Sequence, residues 1–313
     1  MKAYHFILVF LAVMASGCED FLDKELQGSL TQSSFPVTKE DALLATNAVY
    51  ASVRSWYYNS GGYPILDIMS DDAHKGSNPN DQLATVGPYD NFNITPTQDG
   101  LDRWWATLYE GIKRANVVIE KVPSIQMDTV LRNRYVAEAC FLRGLFYFDA
   151  VRAWGGVPLV TTLNPPLKLK RATANEIYQQ ILSDLTYALA NLKEKSELPA
   201  QDQGRATKGA ARALLAKVYL FRHDFVNAEK YALEAIHSGE YDLEPVYTDA
   251  NGVNGENGPE SVFEIGALQI EGYENGGNQY ANTQGVRGTP NRGWGFNRPS
   301  EDLRNSFEPG DPR

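Results

Sequence analysis

One stretch constrains this chain more than any other: an apolar helix that stops abruptly at two glycines. Residues Ala137-Glu138-Ala139-Cys140-Phe141-Leu142-Arg143-Gly144-Leu145-Phe146-Tyr147-Phe148-Asp149-Ala150-Val151-Arg152-Ala153-Trp154 run directly into Gly155-Gly156-Val157-Pro158. Large apolar residues recurring at three- and four-residue steps make a helix, and Gly-Gly-x-Pro ends it. The fold is therefore expected to be built on helices.

The same periodicity recurs along the chain. Thr38-x-x-Asp41 is a capping-box-like start for a helix through Ala42, Ala45, Val49 and Val53. Further helices are expected over Leu101–Val122, Thr129–Trp154, Thr173–Leu192, Thr207–Arg222 and Asp224–Ser238. In the last pair, Leu215, Ala216, Tyr219, Ala228, Ala232 and Ala235 have the spacing of a tetratricopeptide repeat, in which small residues let two antiparallel helices approach closely. Aligning Tyr147 with Tyr219 superposes Leu142 on Leu214, Gly144 on Ala216 and Phe148 on Leu220, which suggests a second, diverged copy interrupted by Gly155–Arg171. The expected class is mostly α, with tetratricopeptide-like helical repeats and a loop-rich, largely irregular remainder.

Two long segments lack the helical period. Residues 57–100 are polar and punctuated by Gly61-Gly62, Asn78-Pro79-Asn80 and Gly87-Pro88, so they are expected to form a binding-loop insertion within a helical scaffold spanning 38–243. Residues 244–313 shift to Gly and Asn, as in Asn251-Gly252, Asn254-Gly255 and Gly276-Gly277-Asn278, and only Ser261–Leu268 reads as a strand. Loops held by a rigid scaffold are where binding groups concentrate.

Residues 1–17 carry Lys2 and the apolar core Phe6 to Met14, the pattern of a secretory signal and too short for a stable membrane span. Ala15-Ser16-Gly17-Cys18 resembles a bacterial lipobox, with Cys18 as the lipidated mature N-terminus; an incidental cysteine behind an ordinary signal is the alternative. Triple acylation would hold the protein on a membrane at ~0.8 kcal/mol per buried CH₂. Residues 18–37 then form an extended lead-in, and Glu19-Asp20 directly after the cysteine are either a surface-export signal or a solvated acidic linker.

Removing residues 1–17 leaves 313 − 17 = 296 residues with a charge balance of 28 − 39 = −11. That is enough chain for a large core. It lacks the clustered Lys and Arg needed for nucleic acid or anionic lipid, so neutral ligands are favoured. With Cys18 acylated, Cys140 has no intrachain disulfide partner and reads as a small buried thiol.

Several ordered blocks carry a resemblance. They are Cys18-Glu19-Asp20-Phe21-Leu22-Asp23, Ser70-Asp71-Asp72, Trp105-x-x-Leu108-Tyr109-x-x-Ile112-x-x-x-Asn116, the Arg143-to-Pro158 block, and Arg171-x-Thr173-x-x-Glu176-Ile177-Tyr178. Asp184-Leu185-x-x-Ala188, Gly204-Arg205-Ala206-Thr207-Lys208-Gly209-Ala210-Ala211 and Asp311-Pro312-Arg313 complete the order. Together they resemble the SusD/RagB family of lipid-anchored glycan-binding proteins on the surface of Bacteroidota. The resemblance implies a SusD-like α/α superhelix of four tetratricopeptide-like units, attachment to the outer membrane facing the exterior, and a SusC-like TonB-dependent transporter as partner. It also implies that the run Phe307 to Arg313 precedes further sequence, so the chain is expected to cover the family's N-terminal portion.

Catalysis finds little support. His5, His74, His223 and His237 stand alone without metal-ligand spacing, and the Gly-rich runs lack the Lys-Ser/Thr of a phosphate loop, so no metal, cofactor or enzymatic role is expected. Sugar recognition needs flat apolar platforms with planar hydrogen-bonding groups at their rims. Tyr89 and Phe92 in the first loop, Trp104 at the head of the following helix, and Tyr273, Tyr280, Arg287, Trp294 and Asn297 in the second are the candidate ligand contacts. Trp294 serves equally well as a structural residue, while Trp105 shares a face with Tyr109 and Ile112 and is expected in the core. The alternative function is a tetratricopeptide-type protein-interaction component of a peptide or other nutrient uptake complex.

Overall fold

The computed structural model describes residues 34–59, 64–250, 252, 255–267, 279–290 and 293–311. The signal segment, Cys18, Tyr273 and the side chain of Tyr280 lie outside what is described. Six long helices form the body: α1 (Lys39–Arg54), then, after the short α2 (Trp56–Asn59) and α3 (Gly87–Asp90), α4 (Leu101–Lys121), α5 (Thr129–Trp154), α6 (Ala174–Asn191), α7 (Lys208–Phe221) and α8 (Phe225–Ile236). Their ends fall within a residue or two of those expected.

Local chemistry sets these boundaries. Thr38 Oγ1 accepts from Asp41 N and Asp41 Oδ2 accepts from Thr38 N, each near 3 Å, which is the capping box of α1. Thr173 and Glu176 repeat the device for α6. Asp128, Thr207 and Asp224 cap α5, α7 and α8 through side-chain oxygens.

Each long helix packs on its successor, and α1 also touches α5, so α5 lies at the centre. It is buried almost without interruption from Arg134 to Val151, as a helix surrounded by others must be. Phe141, Leu142, Phe146, Tyr147 and Phe148 fill the core between its neighbours, each contributing about 1.5–3 kcal/mol of transfer free energy. Tyr219 of α7 stacks on Tyr231 of α8 at 5.7 Å and 6°, across the pair that the repeat spacing singled out. Cys140 is buried, and burial pushes its thiol up, so it is an inert core residue as expected.

The Gly-Gly stop has a physical reason. Gly155 closes α5 with φ +69°, and a Cβ on Gly156 would lie 2.1 Å from the Ala172 carbonyl oxygen. Arg171 returns to donate to the carbonyls of Trp154 and Gly156, both at 2.6 Å. Tyr109, Tyr147 and Asn116 then hold Pro158, Val160 and Thr162 by hydrogen bonds to main-chain carbonyls. Three of the blocks that carry the resemblance, Trp105 to Asn116, Arg143 to Pro158 and the one opening at Arg171, thus meet at one polar seam under the 155–172 connection.

Two expectations for the loops are corrected. The 57–100 insertion is not structureless: it contains α2, a π-type turn (Pro64–Ile68), β1 (Ala73–Gly76) and α3. Within the second loop region, Ser261–Leu268 is not a strand over its described part, 261–267. Its alternation instead lays Phe263 edge-on to Phe141 at 4.9 Å and packs Ile265 on the helical core, and among the described residues no strand pairs with it. The second loop does contribute α9 (Gln279–Gln284), β2 (Phe296–Pro299) and α10 (Glu301–Ser306). No helix among the described residues is long and apolar enough to cross a membrane.

Candidate functional site

The two loop regions meet through one small antiparallel ladder. β1 pairs with β2 in the register Ala73↔Pro299, His74↔Arg298 and Gly76↔Phe296. Ser300 completes the join, its N–H donating to the Asp72 carbonyl at 2.8 Å and its hydroxyl to that of Asp71. Both bonds use main-chain carbonyls of the Ser70-Asp71-Asp72 block. Behind the ladder, Ile68, Val86, Tyr89 and Phe296 form a second apolar core, with Met69, Ile94 and Leu101 packed against it. Leu101 opens α4, so this module is seated on the helical body.

A cleft of about 560 Å³ opens over the ladder, lined by Asp81, Gln82, Arg287, Gly288, Thr289, Gly293, Trp294 and Phe296. Trp294 stands at its rim, 39% exposed, and meets Trp56 of α2 edge-on at 5.6 Å and 70°. Trp56 is fixed in turn, because Tyr58, two residues on, donates its hydroxyl to Asp149 of α5 at 2.9 Å. Arg287 Nη1 donates to Ser77 Oγ at 2.6 Å, to Asp81 Oδ2 and to the Trp294 carbonyl at 3.3 Å. Those bonds all use Nη1. Nε and Nη2 keep donors for a ligand, since a guanidinium carries five. The Arg287 and Ser77 hydrogen bonds hold the Asp81 carboxyl below the usual carboxylate range, with help from the Lys75 charge. Gly76 permits this closeness: its φ is +67°, and a Cβ there would lie 2.5 Å from the Gly295 oxygen.

Of the candidate contacts, the structure brings Arg287 and Trp294 together at this cleft. It corrects two other candidates. Tyr89 is 1% exposed, its hydroxyl donating to the Asp99 carbonyl at 3.0 Å, and burial pushes that hydroxyl up to about 12. It is a core residue of the ladder module and cannot present a face to a ligand. Trp104 is also 1% exposed, wedged against Trp154 at 5.2 Å on the stripe that continues through Leu108, Ile112 and Ala115. Trp105, expected in the core, is half-buried against Tyr109 and Trp154.

Phe92 is exposed but does not line the cleft, and Asn297 donates to Asp67 Oδ2 at 2.7 Å, bracing β2 against the π-type turn. Sequence reasoning passed over Trp56, Tyr57, Asp81, Gln82 and Thr289. The run Trp56-Tyr57-Tyr58, immediately after α1, was the available signal. Tyr57 carries Arg103 over its ring at 5.3 Å on the same short helix.

The arrangement offers an apolar platform beside a hydrogen-bonding rim, and Arg287 and Asp81 offset each other's charge. Among the described residues no group of three His, Cys, Asp or Glu side chains comes together to hold a metal ion.

Comparison with known proteins agrees with this architecture. A SusD-like family model, described as starch-binding and associating with the outer membrane, matches residues 20–220. A SusD-like protein of Bacteroides ovatus is 30% identical over 296 residues, covering 88% of this chain and 52% of the relative. A laminarin-binding SusD-like protein superposes with a TM-score of 0.73 at 28% identity, over 86% of this chain and 64% of its own. Surface glycan-binding protein A of Bacteroides thetaiotaomicron, in complex with laminarihexaose, gives 0.73 at 27% identity, over 87% and 61%. The chain spans about half the length of the curated relatives it matches. It belongs to the SusD-like family.

Proposed function

We propose that this protein captures a neutral oligosaccharide in the cleft over the β1–β2 ladder and breaks no bond in it. The observation that carries this reading is the half-exposed Trp294 indole, braced by Trp56, beside the Arg287–Asp81 pair. An indole face packs on the C–H face of a pyranose, while Arg287, Gln82 and Thr289 bond its hydroxyls. Because the pair's charges cancel, the rim favours a neutral sugar over an acidic one. Relatives that bind laminarin or hold laminarihexaose support a glycan as the ligand.

In the same reading, residues 1–17 are a signal, Cys18 carries the lipid, and the protein faces the exterior of the outer membrane. It hands cargo to a SusC-like TonB-dependent transporter, and the repeat-like face of α7 and α8 is the docking element. That face exposes Phe225, Val226 and Ile236, which also favours the second reading, a protein-interaction component of an uptake complex for peptides or other nutrients. The two readings coexist if one face docks the partner and the cleft holds cargo.

Migration of the purified protein through gels containing immobilised neutral polysaccharides tests the proposal. Retardation by one of them, insensitive to added salt, is expected. Uniform free migration of folded protein would move the function to peptide cargo or to docking alone.

A further inference from the structure

Lys75 on β1 is 7% exposed, yet its ammonium ends on main-chain carbonyls rather than on a carboxylate: Gly76 and Asn78 at 3.0 Å each and Asp81 at 2.9 Å. Three donors meet three acceptors, so the group is saturated. The Phe296 ring covers it at 5.7 Å, and its own backbone N–H donates to Asp90 Oδ2 at 3.2 Å. Burying an ammonium is costly unless hydrogen bonds replace its hydration, and these three carbonyls do so. Here it gathers three carbonyl dipoles that would otherwise repel one another, as a bound cation does.

The loop closed in this way bears directly on the cleft. Ser77 at its start and Gln82 just past it hold φ of +54° and +47°, values that non-glycine residues rarely adopt and keep only when their surroundings enforce them. From this loop come Asp81 and Gln82, which line the cleft, and Ser77 and Asp81, which fix Arg287. We infer that Lys75 is a positioning residue for ligand capture, an internal cation whose charge preorganises the 76–82 wall of the cleft without touching the ligand. The inference rests on the glycan reading of that cleft.

Lys75→Met removes the charge while keeping most of the volume, and Lys75→Ala leaves a gap the size of propylammonium. Hydrogen exchange at the Ser77 amide, which donates across to the Gly295 carbonyl, and at the Asp81 amide, which donates to the Asn78 carbonyl within the loop, is expected to accelerate about tenfold in each variant. Exchange in α4 to α6 stays unchanged. Laminarihexaose affinity, measured by calorimetry, is expected to fall on the order of tenfold as preorganisation is lost. Added propylammonium restores both readouts in K75A, and 1-propanol restores neither.

Unchanged exchange and affinity in K75M would overturn the inference, as would equal rescue by the alcohol, because either result makes the group mere filler. If the unsubstituted protein binds neither laminarihexaose nor any neutral polysaccharide, the glycan reading itself fails. The exchange result then assigns Lys75 to loop architecture alone.

Discussion

Arg143 of α5 grips Asp184 of α6 through two parallel bonds, Nε to Oδ2 at 2.8 Å and Nη2 to Oδ1 at 2.6 Å, with both side chains almost fully buried. Its remaining terminal nitrogen donates to Asn116 of α4 at 2.7 Å. One guanidinium therefore ties three helices together. The three residues come from separate blocks of the family pattern, and together they form a seam of the helical scaffold.

Asp184→Leu should destabilise the protein by about 3–5 kcal/mol, because it leaves a buried guanidinium without its partner. Arg143→Met combined with Asp184→Leu should recover much of that loss. Urea unfolding of the two variants checks this, and a double variant weaker than the single one would contradict it.

Trp104 and Trp294 should separate stability from binding. Trp104→Ala opens a cavity in the main core and is expected to cost about 3–5 kcal/mol. Trp294→Ala gives up its edge contact with Trp56 and the buried part of a side chain 39% exposed, and is expected to cost less, about 1–3 kcal/mol. Thermal unfolding of the two variants is the check, and equal losses would place Trp294 in the framework rather than at the ligand.

Acid should act on the caps and on the cleft in the same direction. Hydrogen bonds from Val37 and Thr38 hold Asp41 low; Thr173 does so for Glu176, Asn227 for Asp224, and Arg287 with Ser77 for Asp81. A carboxyl whose folded pKa lies below its unfolded value stabilises above that unfolded value, near pH 4, and loses the contribution as pH falls through the folded pKa. Stability and glycan affinity are thus expected to stay level from about pH 8 to about pH 5 and to decline below about pH 4. A midpoint near pH 6 in the binding curve would contradict this.

The helical body was legible because each helix carries its own period and its own cap. Thr38 with Asp41 and Thr173 with Glu176 announce helix starts within four residues of chain. The α4 stripe was less legible: the sequence places Trp105 with Tyr109 and Ile112 in the core, whereas packing buries Trp104 with Leu108, Ile112 and Ala115 and leaves Trp105 half-buried, although both indoles meet Trp154.

The cleft was less legible for a different reason. β1 reads Ala-His-Lys-Gly, with no β-branched or aromatic residue to mark a strand. Its partner lies more than two hundred residues away, and its register is set by Gly76 meeting Phe296. Tyr89 looked like a loop aromatic because nothing local says that Phe296 will close over it. Arg287 and Trp294 stand among the candidates by residue type alone, whereas Asp81 and Ser77 come to the cleft only through their bonds to Arg287.

The central claim is that Trp294 is the platform for a neutral glycan. Titration of laminarihexaose, alongside retention on neutral polysaccharide gels, into the unsubstituted protein and Trp294→Ala tests it most directly. A loss of about 1–3 kcal/mol of binding free energy is expected in the variant, the worth of one aromatic stacking contact, with the fold retained. Equal affinity of the two proteins for a glycan they both bind would contradict it.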